Sequence, residues 1–164
     1  MIEAMMKRVV ACALFLAAGL ASANAEMSIE AARAAVAPFY QSLNAEFAKE
    51  SADLIRRATE PDWVSCRGND ACNSREEVVA GIAQRLKSVP DLKWEIKEVL
   101  VAGNRITVRG EATGTPASEF MGAPRTGKSF KVMSIDVHMI ENGKMARSYH
   151  IEDWIGAVRQ LTAN

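Results

Sequence analysis

Apolar residues recur at helical spacing through the first half of the chain, and the period drops to two in the second half. Val36, Phe39, Tyr40, Leu43 and Phe47 share one helical face, with Ser28 placed as N-cap and Glu30 in the first turn. Pro38 stands where it would kink this helix or end its first part. A second helical stretch runs from about Ala48 to Thr59 and stops before Pro61, and Trp63-Val64 opens an extended piece. Ser74-x-x-Glu77 is a capping box, followed by the stripe Val78, Val79, Ile82 and Leu86 and a stop at Pro90.

Beyond Pro90, Leu92, Trp94 and Ile96 alternate with Lys93, Glu95 and Lys97, the signature of a half-buried strand. The alternation breaks at Glu98-Val99-Leu100, where a bulge is expected. Gly103-Asn104 turns the chain into Ile106, Val108, Gly110 and Ala112. A Gly/Pro-rich loop from Gly114 to Gly127 carries Phe120 and Met121. Two further strands, about Ser129–Ile140 and Lys144–Glu152, flank the hairpin signal Asn142-Gly143. Trp154, Ile155, Val158 and Leu161 mark a closing helix. Helices followed by a meander of long antiparallel strands imply an α+β fold, a helical layer over one face of a curved sheet. The hollow between the layers is where a small molecule would bind.

The N-terminus changes the residue counts. Lys7-Arg8, the apolar run Val9–Ala21 and Ala23-Asn24-Ala25 read as a signal peptide over residues 1–25. The run is too short to span a bilayer, which needs about 20 residues. Cys12 follows the basic pair too closely to be a lipoprotein cysteine. Cleavage near Ala25 would leave residues 26–164 as one domain, periplasmic or secreted, with no stable membrane anchor. Of 20 Lys+Arg and 20 Asp+Glu, the leader takes Lys7, Arg8 and Glu3, so 18 and 19 remain, a net charge of −1. That balance offers nothing to nucleic acid or to an anionic membrane. Cys66 and Cys72 then form an even pair in an oxidising compartment, and a disulfide is expected, worth about 2.4 kcal/mol by loop entropy. No histidine lies nearby in sequence to suggest a metal site there.

The hairpin turn sets an expected register. With a two-residue loop, Ile140 faces Met145, His138 faces Arg147, Asp136 faces Tyr149, Ser134 faces Ile151 and Val132 faces Asp153, all on one side of the sheet. The opposite side carries Ile135, Val137 and Met139 with Ala146, Ser148, His150 and Glu152. The first side reads equally well as a pocket wall of ionisable groups among apolar ones and as a solvent-facing sheet with ordinary cross-strand pairs.

Pro90-Asp91-Leu92-x-Trp94, Val108-Arg109-Gly110, Gly114-Thr115, Phe120-Met121-Gly122-x-Pro124-x-Thr126-Gly127-Lys128 and Glu141-Asn142-Gly143-Lys144 together resemble the SnoaL-like polyketide cyclase and ester cyclase family of the nuclear transport factor 2-like superfamily. The resemblance covers nearly all of the chain after the leader. It implies a cone-shaped α+β barrel, its curved antiparallel sheet and helices enclosing a pocket for a small hydrophobic molecule. It further implies acid/base chemistry with neither cofactor nor metal, and it leaves room for a homodimer. The family's Gly-Lys-Ile-x-Glu-x-Trp-x-x-x-Asp run falls on Gly143 to Asp153, which puts Asp153 at the acid/base position, with Tyr149 for the tryptophan and Arg147 for the glutamate. His138 matches a histidine that assists in some members. In the expected register Asp153 and His138 stand about 20 Å apart on a flat strand, so curvature or a bulge must shorten that distance.

The reading is therefore an exported domain acting as a cyclase or isomerase on a hydrophobic carbonyl compound. Asp153 and His138 are its catalytic candidates; Asp136, Arg147, Tyr149, Trp63, Phe120 and Met121 are its candidate substrate contacts. Trp63 reads more readily as plain core. A non-catalytic ligand-binding or interaction module on the same fold is the rival, and export favours it somewhat. An epoxide hydrolase built on Asp136, Arg147 and Asp153 has the right residue types at the wrong spacing.

Overall fold

A computed structural model describes residues 27–163, so the leader expected over residues 1–25, with Cys12, lies outside the described residues. The first helix, α1 (Ile29–Ser42), starts at Ser28, whose Oγ accepts the Ala31 N–H at 3.1 Å. It runs through Pro38 without ending there. A 3₁₀ turn (Ala45–Phe47) precedes α2 (Ser51–Ala58), which begins three residues later than the apolar spacing suggests. Thr59 does not close that helix but opens β1 (Thr59–Cys66). β2 (Cys72–Ser74) leads into α3 (Arg75–Ser88) through the expected Ser74–Glu77 capping box. The strands β3 (Lys93–Ala102), β4 (Arg105–Gly114), β5 (Phe130–Glu141) and β6 (Lys144–Glu152) follow, and α4 (Trp154–Thr162) closes the chain.

The sheet has six strands in the order β2-β1-β6-β5-β4-β3. It is α+β as expected, but it is mixed and open rather than wholly antiparallel, because β1 runs parallel to β6. Pro61 lies in the irregular stretch between the Thr59–Met145 and Val64–Arg147 pairs, where its missing N–H costs no ladder bond. Cys66 and Cys72 are cross-strand partners on β1 and β2 and are joined by the expected disulfide.

Two bulges set which side chains meet the helices. In β3 the extra residue is Lys97, between the Ile96–Gly110 and Glu98–Arg109 pairs, just before the expected place. In β6 it is Ala146. Asn142 and Gly143 take the left-handed backbone of a two-residue hairpin (φ 50° and 78°), and Glu141–Lys144 and Ile140–Met145 pair as the turn dictates. Beyond Ala146 the register slips, so that Met139 faces Arg147, His138 faces Ser148, Asp136 faces His150 and Ser134 faces Glu152.

The helices cover the face that carries Ile106, Val108 and Ala112 of β4 with Phe130, Val132 and Ile140 of β5. Val36, Phe39 and Tyr40 of α1, Ile55 of α2 and Trp63 of β1 pack into the same core. The uncovered face carries Met133, Ile135, Tyr149 and Ile151, all exposed.

Candidate functional site

A cavity of about 170 Å³ opens between α3 and the covered face of the sheet. Phe39, Trp94, Asp136, His138 and Ser148 form its inner wall, Val78, Ile82 and Arg85 of α3 its roof, and Arg67, Asn73 and Glu77 its rim. The slip at Ala146 decides this lining. A one-residue shift sends every later side chain of β6 to the opposite face. Ser148, His150 and Glu152 therefore meet the cavity, while Arg147, Tyr149 and Asp153 do not.

This corrects several sequence expectations. Asp153 is exposed at the N-terminus of α4, and its Oδ1 accepts the Gly156 N–H at 2.8 Å, so it caps a helix instead of lining the hollow. Arg147 points out of the cavity, with Nη1 3.7 Å from Cys66 Sγ and its guanidinium 6.0 Å from the Tyr149 ring centre. Tyr149 is 40% exposed on the uncovered face. Phe120 is core, stacked on Phe130 and edge-on to Trp154. Met121 is 58% exposed, and with Phe120 it borders a separate shallow hollow beside Gln84 and Ser88. Trp63 is core too. Of the predicted site residues, Asp136 and His138 reach the cavity.

His138 is fully buried and held at both ring nitrogens, by the Tyr40 hydroxyl at Nε2 (3.0 Å) and Ser148 Oγ at Nδ1 (2.8 Å). Burial pushes its pKa down to about 3, with the nearby His150 charge adding to the effect, so the ring stays neutral. Donor and acceptor chemistry orders the chain. Trp63 Nε1–H can only donate, and it donates to Ser148 Oγ at 2.9 Å. The Ser148 proton then goes to His138 Nδ1, a better acceptor than the Met145 thioether at 3.9 Å. His138 Nε2–H consequently donates to Tyr40, whose own proton is left for Asp136. His138 thus stays neutral and holds the Tyr40 hydroxyl in place.

Asp136 is 4% exposed. Burial raises its pKa to about 7, and the Glu152 charge adds to the rise, while Tyr40, His150 and Ser134 act against it. Ser134 Oγ donates to Asp136 Oδ2 at 3.1 Å. His150, the cross-strand partner of Asp136, bonds through Nδ1 to Glu152 Oε1 at 2.7 Å. Burial alone would lower the pKa of His150, but the Glu152 hydrogen bond and charge, with Asp136, carry it above the ordinary value. Burial alone would likewise raise Glu152, but His150, Arg85 and the Trp154 indole hold it below the ordinary carboxylate range. The site is a carboxyl group that titrates near neutrality beside a hydrogen-bonded histidine–carboxylate pair, an arrangement able to remove and return protons.

Asp136, His150 and Glu152 bring metal-ligand atoms within 4.8 Å of one another. His150 spends Nδ1 on Glu152, and the Arg85 charge already favours that carboxylate, so the set fits proton exchange better than a cation. Sequence reasoning missed Tyr40, Ser148, His150 and Glu152. The alternation Ser148, His150, Glu152 was visible on β6, but the bulge that turns it inward had no marker such as a glycine.

Fold and cavity together define the α+β cone of the nuclear transport factor 2-like kind. The chain belongs to the SnoaL-like polyketide cyclase family, whose model matches residues 33–161. Among solved structures it is similar to IdmH from Streptomyces antibioticus, at 22% identity and TM-score 0.69, over 79% of this chain and 97% of that one. TsrD from Streptomyces laurentii aligns at 24% identity and TM-score 0.67, covering 80% of this chain and 98% of the other. A SnoaL-like polyketide cyclase from Agrobacterium tumefaciens aligns at 19% identity and TM-score 0.65, covering 79% and 97%. These likenesses carry the fold. No curated protein matches the sequence.

Proposed function

We propose that this protein is an exported acid/base catalyst of the cyclase or isomerase type, acting without a cofactor on a small hydrophobic carbonyl compound. The observation that supports this most is Asp136, a buried carboxyl group that faces the cavity, titrates near neutrality and stands beside the His150–Glu152 pair. A base tuned close to working pH is in its ionised form often enough to act and still basic enough to take a proton. Asp136 removes a proton from the carbon next to a carbonyl, and the C–H electron pair passes into the enolate. The His150 imidazolium, oriented by Glu152, supplies a proton to the oxygen that gains charge. In ring closure the enolate carbon forms the new C–C bond to a second carbonyl, whose oxygen takes that proton. In isomerisation the proton held by Asp136 returns to a different carbon while the enol oxygen gives its proton back to His150 and the carbonyl re-forms. Phe39, Val78, Ile82 and Trp94 supply apolar walls that exclude water.

The test is loss of α-deuterium, followed by NMR, from a panel of deuterated one-ring β-keto esters and diketones. Wild type should catalyse the exchange, and Asp136→Asn should slow it by about 100-fold or more. Saturable binding with no exchange on any member would transfer the reading to a ligand-binding module. Export is tested separately: N-terminal sequencing of protein recovered from the periplasm or medium should begin at Glu26, and a retained leader would overturn it.

A further inference from the structure

Arg85 lines the cavity from α3 and is largely withdrawn from water. Among the described residues it makes no ion pair: the Glu152 oxygens go to His150 and to the Trp154 indole instead. Its guanidinium lies 4.5 Å from the Trp154 ring centre, so the ring holds its face and its N–H edge is left unspent. Arg67 stands on the rim of the same cavity, close enough for its charge to oppose that of Arg85. It too makes no ion pair among the described residues. A partly buried cation with no bonded counter-charge is costly, and two that repel each other at one opening are costlier.

The fold holds them there. The Cys66–Cys72 disulfide ties the ends of the loop that carries Arg67 and presents Asn73 beside it. The negative side chains at the cavity leave both guanidiniums unbonded, and Glu152 attracts Arg85 through space only. Glu77 is spent on Ser74, whose backbone N–H and hydroxyl it binds at 2.7 Å each, and Glu152 is matched by His150. Asp136 at the inner end carries only part of a charge near neutrality.

We propose that Arg85 and Arg67 form an anion subsite at the cavity mouth, and that the ligand is a one-ring carbonyl compound bearing a carboxylate. This rests on the acid/base reading of the same cavity and names its substrate class. The cavity volume of about 170 Å³ supports one ring, since a cavity of about 150 Å³ holds benzene. The planar forks of two arginines match a carboxylate, and Asp136 and Glu152 further in disfavour a dianion.

Calorimetric binding of 3-phenylpropanoate, 3-phenylpropanamide and 4-phenyl-2-butanone to the oxidised protein separates the two claims. The acid should bind at least 10-fold more tightly than the amide in low salt, and the preference should shrink as salt rises. Arg85→Gln should abolish the preference without abolishing amide binding, and Arg85→Lys should restore part of it. Arg67→Gln, on an exposed loop with little stake in folding, should cut the preference by about threefold. Equal binding of acid and amide, or a preference that survives both Gln substitutions, overturns the subsite and leaves the cavity reading standing. Binding by none of the three overturns both.

Discussion

Asp136 and His150 are cross-strand partners on β5 and β6, and the bulge at Ala146 makes them so. The base must be ionised, so rate falls as pH drops below about 7, the pKa of Asp136. The acid must be protonated, so rate falls again as pH rises through the raised pKa of His150. A bell-shaped profile of kcat/KM is expected. Glu152→Gln removes a charge that raises both His150 and Asp136, so both limbs should move to lower pH. An alkaline limb unmoved by that change would exclude His150 as the acid.

The same carboxyl makes a stability prediction with a definite sign. Asp136 has a folded pKa of about 7 against an ordinary 3.8. Below pH 3.8 the group is protonated in both states and costs nothing. Between 3.8 and 7 the unfolded chain ionises first, so stability is lost as pH rises, and the loss is complete above 7. Asp136→Asn never ionises. Its Tm should exceed that of wild type at pH 8, by the equivalent of up to about 4 kcal/mol, and the difference should vanish near pH 4. A variant less stable than wild type at pH 8 would mean the carboxylate is better solvated than its burial indicates.

Ser148→Ala tests the ordered chain behind Asp136. It strands the Trp63 indole N–H and the His138 Nδ1, both buried. Unsatisfied buried groups of this kind cost about 1–3 kcal/mol. With His138 free to change tautomer, Tyr40 loses its orientation and no longer favours the Asp136 carboxylate, so the acid limb should shift upward in pH. Lower stability with an unchanged acid limb would make the chain merely structural.

How far the sequence could be read follows from where its information is local. The capping box at Ser74–Glu77, the Asn142-Gly143 turn and the apolar alternation of β4 and β5 are written in neighbouring residues, and those elements stand where the sequence put them. The Cys66–Cys72 bond was read from spacing for the same reason. The parallel pairing of β1 on β6 joins segments far apart in the chain, and no pattern within either announces it. The site depended on one bulged residue. Asp136 and His138 lie on β5, whose face the turn sets correctly, whereas every β6 assignment past Ala146 inverted. Leaving Arg147 and Tyr149 outside spares the protein a buried guanidinium and phenol and places Ser148 under Trp63 and His138, but only the folded core makes that preference visible.

Asp153, the acid/base candidate by family resemblance, should prove to be a helix cap. Asp153→Ala removes the acceptor of the Gly156 N–H and should cost about 0.5–2 kcal/mol of stability. Deuterium exchange at a temperature where the variant stays folded should remain within a few-fold of wild type. A loss comparable to that of Asp136→Asn would restore Asp153 to the reaction.

The uncovered face of the sheet makes the last prediction. Met133, Ile135 and Ile151 are 54%, 40% and 73% exposed, and Ile135 is the cross-strand partner of Ile151. Tyr149 extends the same patch along β6. Apolar side chains clustered on adjacent central strands mark an association surface, and a twofold contact lets one patch meet itself. The partner expected is a second copy of this chain. Light scattering behind size exclusion should give a dimer at micromolar concentration, and Ile151→Lys should yield a folded monomer, because it sets two like charges near the axis. The cavity opens on the other side of the sheet, so the monomer should keep the binding and exchange activity of the dimer. A wild type that is monomeric at high concentration would refute the association. A lysine variant that stays dimeric would move the interface away from this face.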